Sequence, residues 1–376
     1  MAAGELFIGL MSGTSLDGVD GVLADFSGGR MSVQAYATAP FPDALRAELL
    51  ALNTPGDNEL HRAALAGNGL ARIYAGVVGQ LLADSGTSAS KITALGAHGQ
   101  TVRHRPTEFD GVGYTLQLNN PSLLAELTGI EVVADFRSRD LAAGGQGAPL
   151  VPAFHRALFA RAGQSVAVLN IGGISNLSLL PPADAPEDPA VLGFDCGPGN
   201  ALMDHWCQLH TGQPFDGAGQ WAASGQVLPE LLARLRAEPF FAKLPPKSTG
   251  RDLFNPSWLS ACLGTAANAA AADVQATLAE FTASVCAADL LSYGNNSKVL
   301  IVCGGGALND HLLARLRALL PGVEVDPSSK HGLPPQQVEA AAFAWLARST
   351  VRREAGNLAS VTGALGARVL GAIYPA

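Results

Sequence analysis

Residues 7–26, FIGLMSGTSLDGVDGVLADF, read as two strands joined by a tight polar turn. Phe7, Ile8, Leu10 and Met11 form one apolar run, and Val19, Val22, Leu23 and Phe26 form the other. Between them lies Ser12-Gly13-Thr14-Ser15-Leu16-Asp17-Gly18, rich in glycine and hydroxyls. Gly13 and Gly18 let the backbone turn sharply and let a ligand approach it closely. Backbone N–H groups, with the hydroxyls of Ser12, Thr14 and Ser15, can cradle an anion. Asp17 and Asp20 would repel a phosphate unless a divalent metal sat between, since Mg²⁺ takes one or two carboxylates plus phosphate oxygens. The same letters also fit an ordinary hairpin with a polar turn. They are not a Walker A loop, because no Gly-Lys-Ser/Thr follows and no helix opens behind.

A similar unit recurs further along. Val166 to Leu180 reads VAVLNIGGISNLSLL: an apolar strand, a turn carrying Gly172 and Gly173, and a second apolar strand. Each unit is followed by further strands and helices, so the pattern predicts an internal duplication. Identity between the copies is slight. The glycine-rich segment Gly144-Gly-Gln-Gly147 reads as a hinge, and the expected division is 1–145, 146–355, and a closing segment 356–376 that returns toward the first lobe.

Several strand ends carry polar groups, which is where open α/β sheets place ligand contacts. Ile92 to Ala97 is a short buried strand that delivers His98 and Gln100; a hydrogen-bonded structural histidine is the alternative for His98. Glu131 to Asp135 delivers Arg137. Val191 to Asp195 reads as a buried strand ending in Asp195, followed by the Gly197-Pro-Gly199 turn and Asn200 as the cap of the next helix. With Asn200 capping, Asp195 is left available for chemistry. Val299 to Val302 is a strand followed by Gly304-Gly305-Gly306 and a helix, a surface for an adenosine and for anion binding at the helix N-terminus. An alanine-rich helix is expected from Thr265 to Tyr293, and another from Pro334 to Arg348 holds Glu339 in its first turns. For Arg137 and Glu339 the ordinary reading is a surface salt bridge.

Composition bounds the function. The 376 residues are 48% hydrophobic, enough for two cores, and the net charge of −8 argues against a nucleic-acid partner. A phosphate ligand would have to rely on backbone donors and metal more than on lysine clusters. Five scattered cysteines without a CxxC pair argue against a disulfide framework and for a reducing compartment. No apolar run approaches the ~18 residues of a membrane span, and the N-terminus lacks a signal-peptide pattern, so a cytoplasmic protein is expected.

Six motifs together carry a family resemblance: Gly9-Leu-Met-Ser-Gly-Thr-Ser-Leu-Asp-Gly-Val-Asp20, Ala97-His-Gly-Gln-Thr101, Ala134-Asp-Phe-Arg137, Asn170-Ile-Gly-Gly-Ile-Ser-Asn176, Gly193-Phe-Asp-Cys-Gly-Pro-Gly-Asn200 and Val302-Cys-Gly-Gly-Gly306. The chain resembles the anhydro-N-acetylmuramic acid kinase family, within the sugar kinase, actin and heat-shock ATPase superfamily. The resemblance runs from Phe7 to Pro375. The opening motif is highly specific and the glycine triplet alone is weak. Cys196 stands where threonine is expected.

The resemblance implies an α/β fold of two duplicated ribonuclease-H-like lobes, the actin-like ATPase fold, with a cleft between them. It implies ATP and Mg²⁺ as cofactors, a small-molecule sugar as substrate, a homodimer, and no nucleic acid or membrane. The implied reaction opens the 1,6-anhydro ring and phosphorylates the freed 6-oxygen, a step of peptidoglycan recycling. On the matching positions, Gly13, Thr14, Ser15, Leu16, Asp17, Gly18, Val19, Asp20, Gly172, Gly173, Gly304, Gly305 and Gly306 would bind ATP. Asp17 and Asp20 would hold Mg²⁺, directly or through water. His98, Gln100, Arg137 and Glu339 would bind sugar, and Asp195 would be the general base. Three alternatives stay open at this level: a kinase of another anhydro-sugar such as levoglucosan, a phosphatase of the same superfamily, and an actin-like or chaperone-type ATPase switch.

Overall fold

The computed structural model describes residues 5–13, 16–185, 190–250, 253–294 and 296–376; Thr14 and Ser15 of the opening turn lie outside the described residues. The first seven strands are β1 (Leu6–Met11), β2 (Gly18–Asp25), β3 (Ser32–Pro40), β4 (Ile92–Ala97), β5 (Gln100–Pro106), β6 (Gly113–Leu118) and β7 (Val132–Ala134). Five more follow: β8 (Val166–Ile171), β9 (Ile174–Leu180), β10 (Leu192–Pro198), β11 (Val299–Cys303) and β12 (Glu324–Pro327). β13 (Ala372–Tyr374) lies near the end of the chain.

These strands build two principal sheets, ordered β13-β7-β4-β1-β2-β3 and β10-β9-β8-β11-β12, and a ribbon of β5 with β6. In the first sheet β2 is antiparallel to both β1 and β3, while β4 is parallel to both β1 and β7. The second sheet repeats these directions: β9 is antiparallel to β8 and β10, and β11 is parallel to β8 and β12. This is the ribonuclease-H-like order, present twice, and the chain has the duplicated actin-like ATPase fold. The central strands β1 and β8 read as near-continuous apolar runs because both of their faces are covered.

The chain divides into two compact units, one of residues 1–158 with 337–376, the other of 159–336. The sequence had suggested 145 and 356. The re-entry at 337, earlier than expected, has a physical cause in the helix Val338–Val351, whose backbone packs directly on the first sheet. A Cβ at Gly9 would collide with the Ala340 carbonyl, and one at Gly96 with the Phe343 carbonyl. Only bare backbone allows that approach. The first core lies where the helix Glu59–Ser85 sets Leu70, Tyr74, Val77 and Leu81 against Ile8, Leu10, Leu23 and Leu95. In the second unit the helix Ala271–Tyr293 is buried almost all round, with Val274, Phe281, Val285 and Leu290 in the core. It begins later than the expected Thr265, because a 3₁₀ turn over Gly264–Asn268 and an extended Ala269 precede it. Alanine runs carry no capping group, so composition alone does not mark that start. Among the described residues no helix is long and apolar enough to cross a membrane.

Gly96→Val should destabilise the first unit by more than the ~1–3 kcal/mol typical of overpacking, because the obstacle is backbone and cannot rotate away. Urea unfolding should show a lower midpoint at unchanged slope. An unchanged midpoint would mean that the helix is not seated on β4 as described.

Candidate active site

In the first unit, the polar ends of β1, β4 and β7 meet. His98 follows β4 directly, and its N–H donates to the Leu10 carbonyl (3.0 Å). The Ser12 hydroxyl donates to the Gly99 carbonyl (3.0 Å), and the buried Tyr74 hydroxyl lies 3.1 Å from Ser12 Oγ and accepts from the Gly99 N–H (3.1 Å). Gln100 Nε2 donates to the Gly13 carbonyl (3.1 Å). The opening turn and the His98–Gln100 turn are thus one hydrogen-bonded structure. Leu16 sits at φ +59°, a strained value for leucine, held by its buried side chain.

Arg137 enters the same cluster. Its Nε and Nη2 donate to His98 Nε2 (3.2 and 2.9 Å), and Nη1 donates to the Gly147 carbonyl (2.7 Å). With Nε2 accepting, the His98 proton belongs on Nδ1. Burial first, and then the Arg137 charge, lower the His98 pKa to about 3, so the ring stays neutral at working pH. Burial lowers Arg137 to about 10, opposed by the charges of Glu339 and Asp140. Glu339 is half-buried on the helix that lies over β4. His98, Gln100, Arg137 and Glu339 therefore belong to one unit, and Arg137 is no surface salt bridge. His98 Nδ1 and Gln100 Oε1 are buried with no hydrogen-bond partner. A donor and an acceptor left open in this way suit a polar ligand such as a sugar.

The glycine segment after Arg137 is tied down rather than loose. Asp140 is fully buried and accepts from the Gly147 N–H (2.7 Å), Asn357 Nδ2 (2.6 Å) and the Thr362 hydroxyl (2.8 Å), while the Gln146 N–H donates to the Thr362 carbonyl. Neither Asp140, on the short helix Ser138–Ala142, nor Asn357 stood out in the sequence, because their partners lie far along the chain.

Asp17 is exposed at the base of the opening turn, and Asp20 is half-buried on β2. Burial, and to a lesser degree the Asp17 charge, raise the Asp20 pKa, against the hydrogen bond from the Tyr36 hydroxyl (2.5 Å). Two carboxylates that repel each other beside a glycine turn fit a hard divalent cation. No group of three or more His, Cys, Asp or Glu converges among the described residues, so such an ion would complete its shell with water and phosphate oxygens.

The second unit brings three glycine loops together. Gly172 O accepts from the Asn200 N–H (2.7 Å) and Gly173 O from the Gly199 N–H (2.9 Å). A side chain at Gly199 would strike Gly172 O, and one at Gly304 or Gly306 would strike Asn170 or Ile171. Gly304 also needs its φ of +76°. Asn200 does not cap its helix as expected; its Nδ2 donates to the Ile171 carbonyl (3.1 Å) and so ties the two turns together. Asp195 does not end its strand either. β10 continues through Pro198, pairing with β9 across a bulge between Asp195 and Gly197, as an edge strand with its proline at the end can do.

Asp195 lies opposite Asn176, whose buried Oδ1 has no hydrogen-bond partner. Its Oδ2 accepts from the Thr249 N–H (3.0 Å), and its own N–H donates to the Lys247 carbonyl (3.0 Å). Burial raises the Asp195 pKa to about 7, against the Thr249 hydrogen bond and the Lys247 charge. A carboxylate with one oxygen held and a pKa near neutrality is suited to proton abstraction. The 245–250 loop looked like an ordinary polar loop in the sequence; Pro245-Pro246 and Lys247 were the available signal.

The profile of the anhydro-N-acetylmuramic acid kinase family matches residues 5–376 of the chain. The chain is 86% identical over 374 residues to the anhydro-N-acetylmuramic acid kinase of Variovorax paradoxus (strain S110), across 100% of both chains. It is 63% identical over 387 residues to that of Albidiferax ferrireducens (strain ATCC BAA-621 / DSM 15236 / T118), across 99% of this chain and 100% of the relative. Among solved structures, the activator of the 2-hydroxyisocaproyl-CoA dehydratase from Clostridium difficile with bound ADPNP aligns at a TM-score of 0.49 and 12% identity, over 92% of this chain and 96% of that one.

The buried neutral His98 generates a pH prediction. Its folded pKa of about 3 lies below the ordinary 6.5, so the unfolded state binds the proton first as pH falls. Stability should therefore be lost from pH 6.5 downward, approaching ~1.4 kcal/mol per pH unit for this group. His98→Gln should flatten the dependence of urea-unfolding free energy on pH between 6.5 and the folded pKa. An identical slope in parent and variant would contradict a neutral, buried His98.

Proposed function

The chain belongs to the anhydro-N-acetylmuramic acid kinase family, and from that membership we infer its reaction: ATP, water and 1,6-anhydro-N-acetylmuramic acid give ADP and N-acetylmuramic acid 6-phosphate. It is an ATP-dependent sugar kinase of peptidoglycan recycling. The observation that carries this reading is the full-length match to kinases of that name, at 86% identity in the first of them.

Roles follow from chemistry. The opening turn (Gly13, Thr14, Ser15, Leu16, Asp17, Gly18, Val19, Asp20), the second turn (Gly172, Gly173) and the triplet Gly304–Gly306 bind the nucleotide through backbone groups. Mg²⁺ held by Asp17 and Asp20, directly or through water, would neutralise phosphate charge. His98 Nδ1–H, Gln100 Oε1, Arg137 and Glu339 orient the sugar; the two orphaned polar atoms support that assignment. Asp195 removes a proton from water as the oxygen attacks the anomeric carbon. The bond from that carbon to the 6-oxygen breaks, the 6-oxygen takes the γ-phosphoryl group, and ADP leaves. Phosphoryl transfer of this kind asks the protein for positioning and charge neutralisation more than for covalent chemistry.

We assign the enzyme to the cytoplasm and to a homodimer, as the family resemblance implies. The exposed Phe109, Val112, Tyr114 and Leu116 of the β5–β6 ribbon are available apolar surface for self-association. Light scattering should return twice the chain mass; a monomer at micromolar concentration would overturn the dimer.

Asp195→Asn keeps the size of the side chain and removes its basicity. General-base removal costs ~10²–10⁴-fold in rate. ADP release and sugar phosphate should fall together, because ring opening and phosphoryl transfer are coupled, while calorimetry should still detect sugar and ATP binding. Turnover near the parent value would make Asp195 structural.

A further inference from the structure

We propose that Lys247, which lies behind Asp195, is the positioning residue that fixes Asp195 and keeps it in its basic form. This rests on the reading of Asp195 as the general base.

The geometry starts at the strand edge. The 247–249 segment runs along β10, taking the Asp195 N–H on the Lys247 carbonyl and giving the Thr249 N–H to Asp195 Oδ2, both at 3.0 Å. That contact occupies Oδ2 and leaves Oδ1 for a water. The segment is anchored by the Lys247 side chain, which is 1% exposed. Its Nζ lies 3.0 Å from Asp289 Oδ1 on the helix Ala271–Tyr293, and over the rings of Phe194 (5.5 Å) and Phe240 (5.2 Å). A lysine is hardly ever buried so completely, and an apolar pair of similar volume would usually hold such a place as well or better. The core gives no reason for this ion pair. The carboxylate next to it does.

The ionisable groups facing Lys247 are few among the described residues. β10 presents Asp195 and Cys196, and the helix Ala271–Tyr293 presents Asp289 and Cys286. Burial raises the Cys196 thiol far above its ordinary range, so it carries no charge at working pH. One cation thus acts on two carboxylates: it hydrogen-bonds Asp289, and its charge favours the ionised form of Asp195. Without it, burial alone would hold Asp195 protonated further into the alkaline range.

The test compares pH profiles of kcat and kcat/KM for the parent, Lys247→Met combined with Asp289→Leu, Asp289→Asn, and Asp195→Asn. The double variant removes both charges and keeps the volume, and thermal melting checks its fold. Its acid limb should move up by about one pH unit, so that kcat falls about fivefold near pH 7, approaches a tenfold loss below about pH 6, and recovers in alkali, with KM for sugar and ATP little changed. Asp289→Asn retains the cation, so its limb should lie at or below that of the parent. An equal fall at every pH with an unmoved limb would make Lys247 a structural residue and sink the proposal alone. Should the double variant not fold, an upward limb in Asp289→Asn sinks it as well. Full turnover in Asp195→Asn would remove the base and the proposal together.

Discussion

Positions 9 and 96 admit no side chain. The backbone of the helix Val338–Val351 occupies the volume where Cβ atoms would stand, against the Ala340 and Phe343 carbonyls. This single steric constraint sets the geometry of the first unit. It brings the Phe343 ring to 4.7 Å from the His98 ring and the Glu339 charge within influence of Arg137. It also explains why a helix late in the chain belongs to the first unit. A glycine in a central strand sacrifices packing and chain entropy, which is unfavourable unless something needs the space. Here a helix does.

The second unit uses the same device at its loops. Gly199, Gly304 and Gly306 let three turns close on the backbone at Asn170–Gly172, and the carbonyls exposed there are taken up by the N–H groups of Gly199 and Asn200. A surface of bare backbone results, with few side chains to obstruct a phosphate or a flat base. The hydroxyl-rich opening turn reaches the same end differently, through Ser12, Tyr74 and Gln100 bracing it from below. Two copies of one topology thus carry unlike loops, which is why the sequence identity between them is slight while the strand order is the same.

The duplication was readable because strand, glycine turn and strand is a local pattern, and Gly172, Gly173 and Gly13 are its letters. His98 and Arg137 were readable for a related reason: His98 stands directly after the apolar strand β4, and Arg137 three residues after the end of β7. What was not readable is long-range. Asp195 reads as a strand end before a glycine turn, yet the strand runs on past it, because an edge strand tolerates Gly197 and Pro198 that a central strand would not. Asn200 sits at a helix start, where capping is the default inference, but tertiary packing turned its amide to Ile171. Asp289, Asp140 and Asn357 gave no signal, and Lys247 gave only that of a polar residue after two prolines, since their meaning lies in partners far away along the chain.

Net charge is the last point at which sequence and structure must be reconciled. A chain of −8 that handles a nucleoside triphosphate needs positive potential where the anion sits, and it has no lysine cluster to supply it. Under the roles proposed above, backbone groups and Mg²⁺ meet the phosphates, and one shielded cation in each unit serves other partners. In the first, the half-buried Arg137 faces a histidine that burial holds neutral, so His98 adds no competing cation, and the charges of Glu339 and Asp140 act on the arginine. In the second, one buried lysine pairs with Asp289, and its charge also acts on Asp195. In a poorly hydrated site such fixed charges act more strongly than the same charges on the surface, where salt screens them within roughly 10 Å. A few buried cations with chosen partners can therefore set protonation states and orient ligands while the exterior stays acidic. That is a local solution, and it is invisible to composition because it depends on which carboxylate each cation is denied and which it keeps.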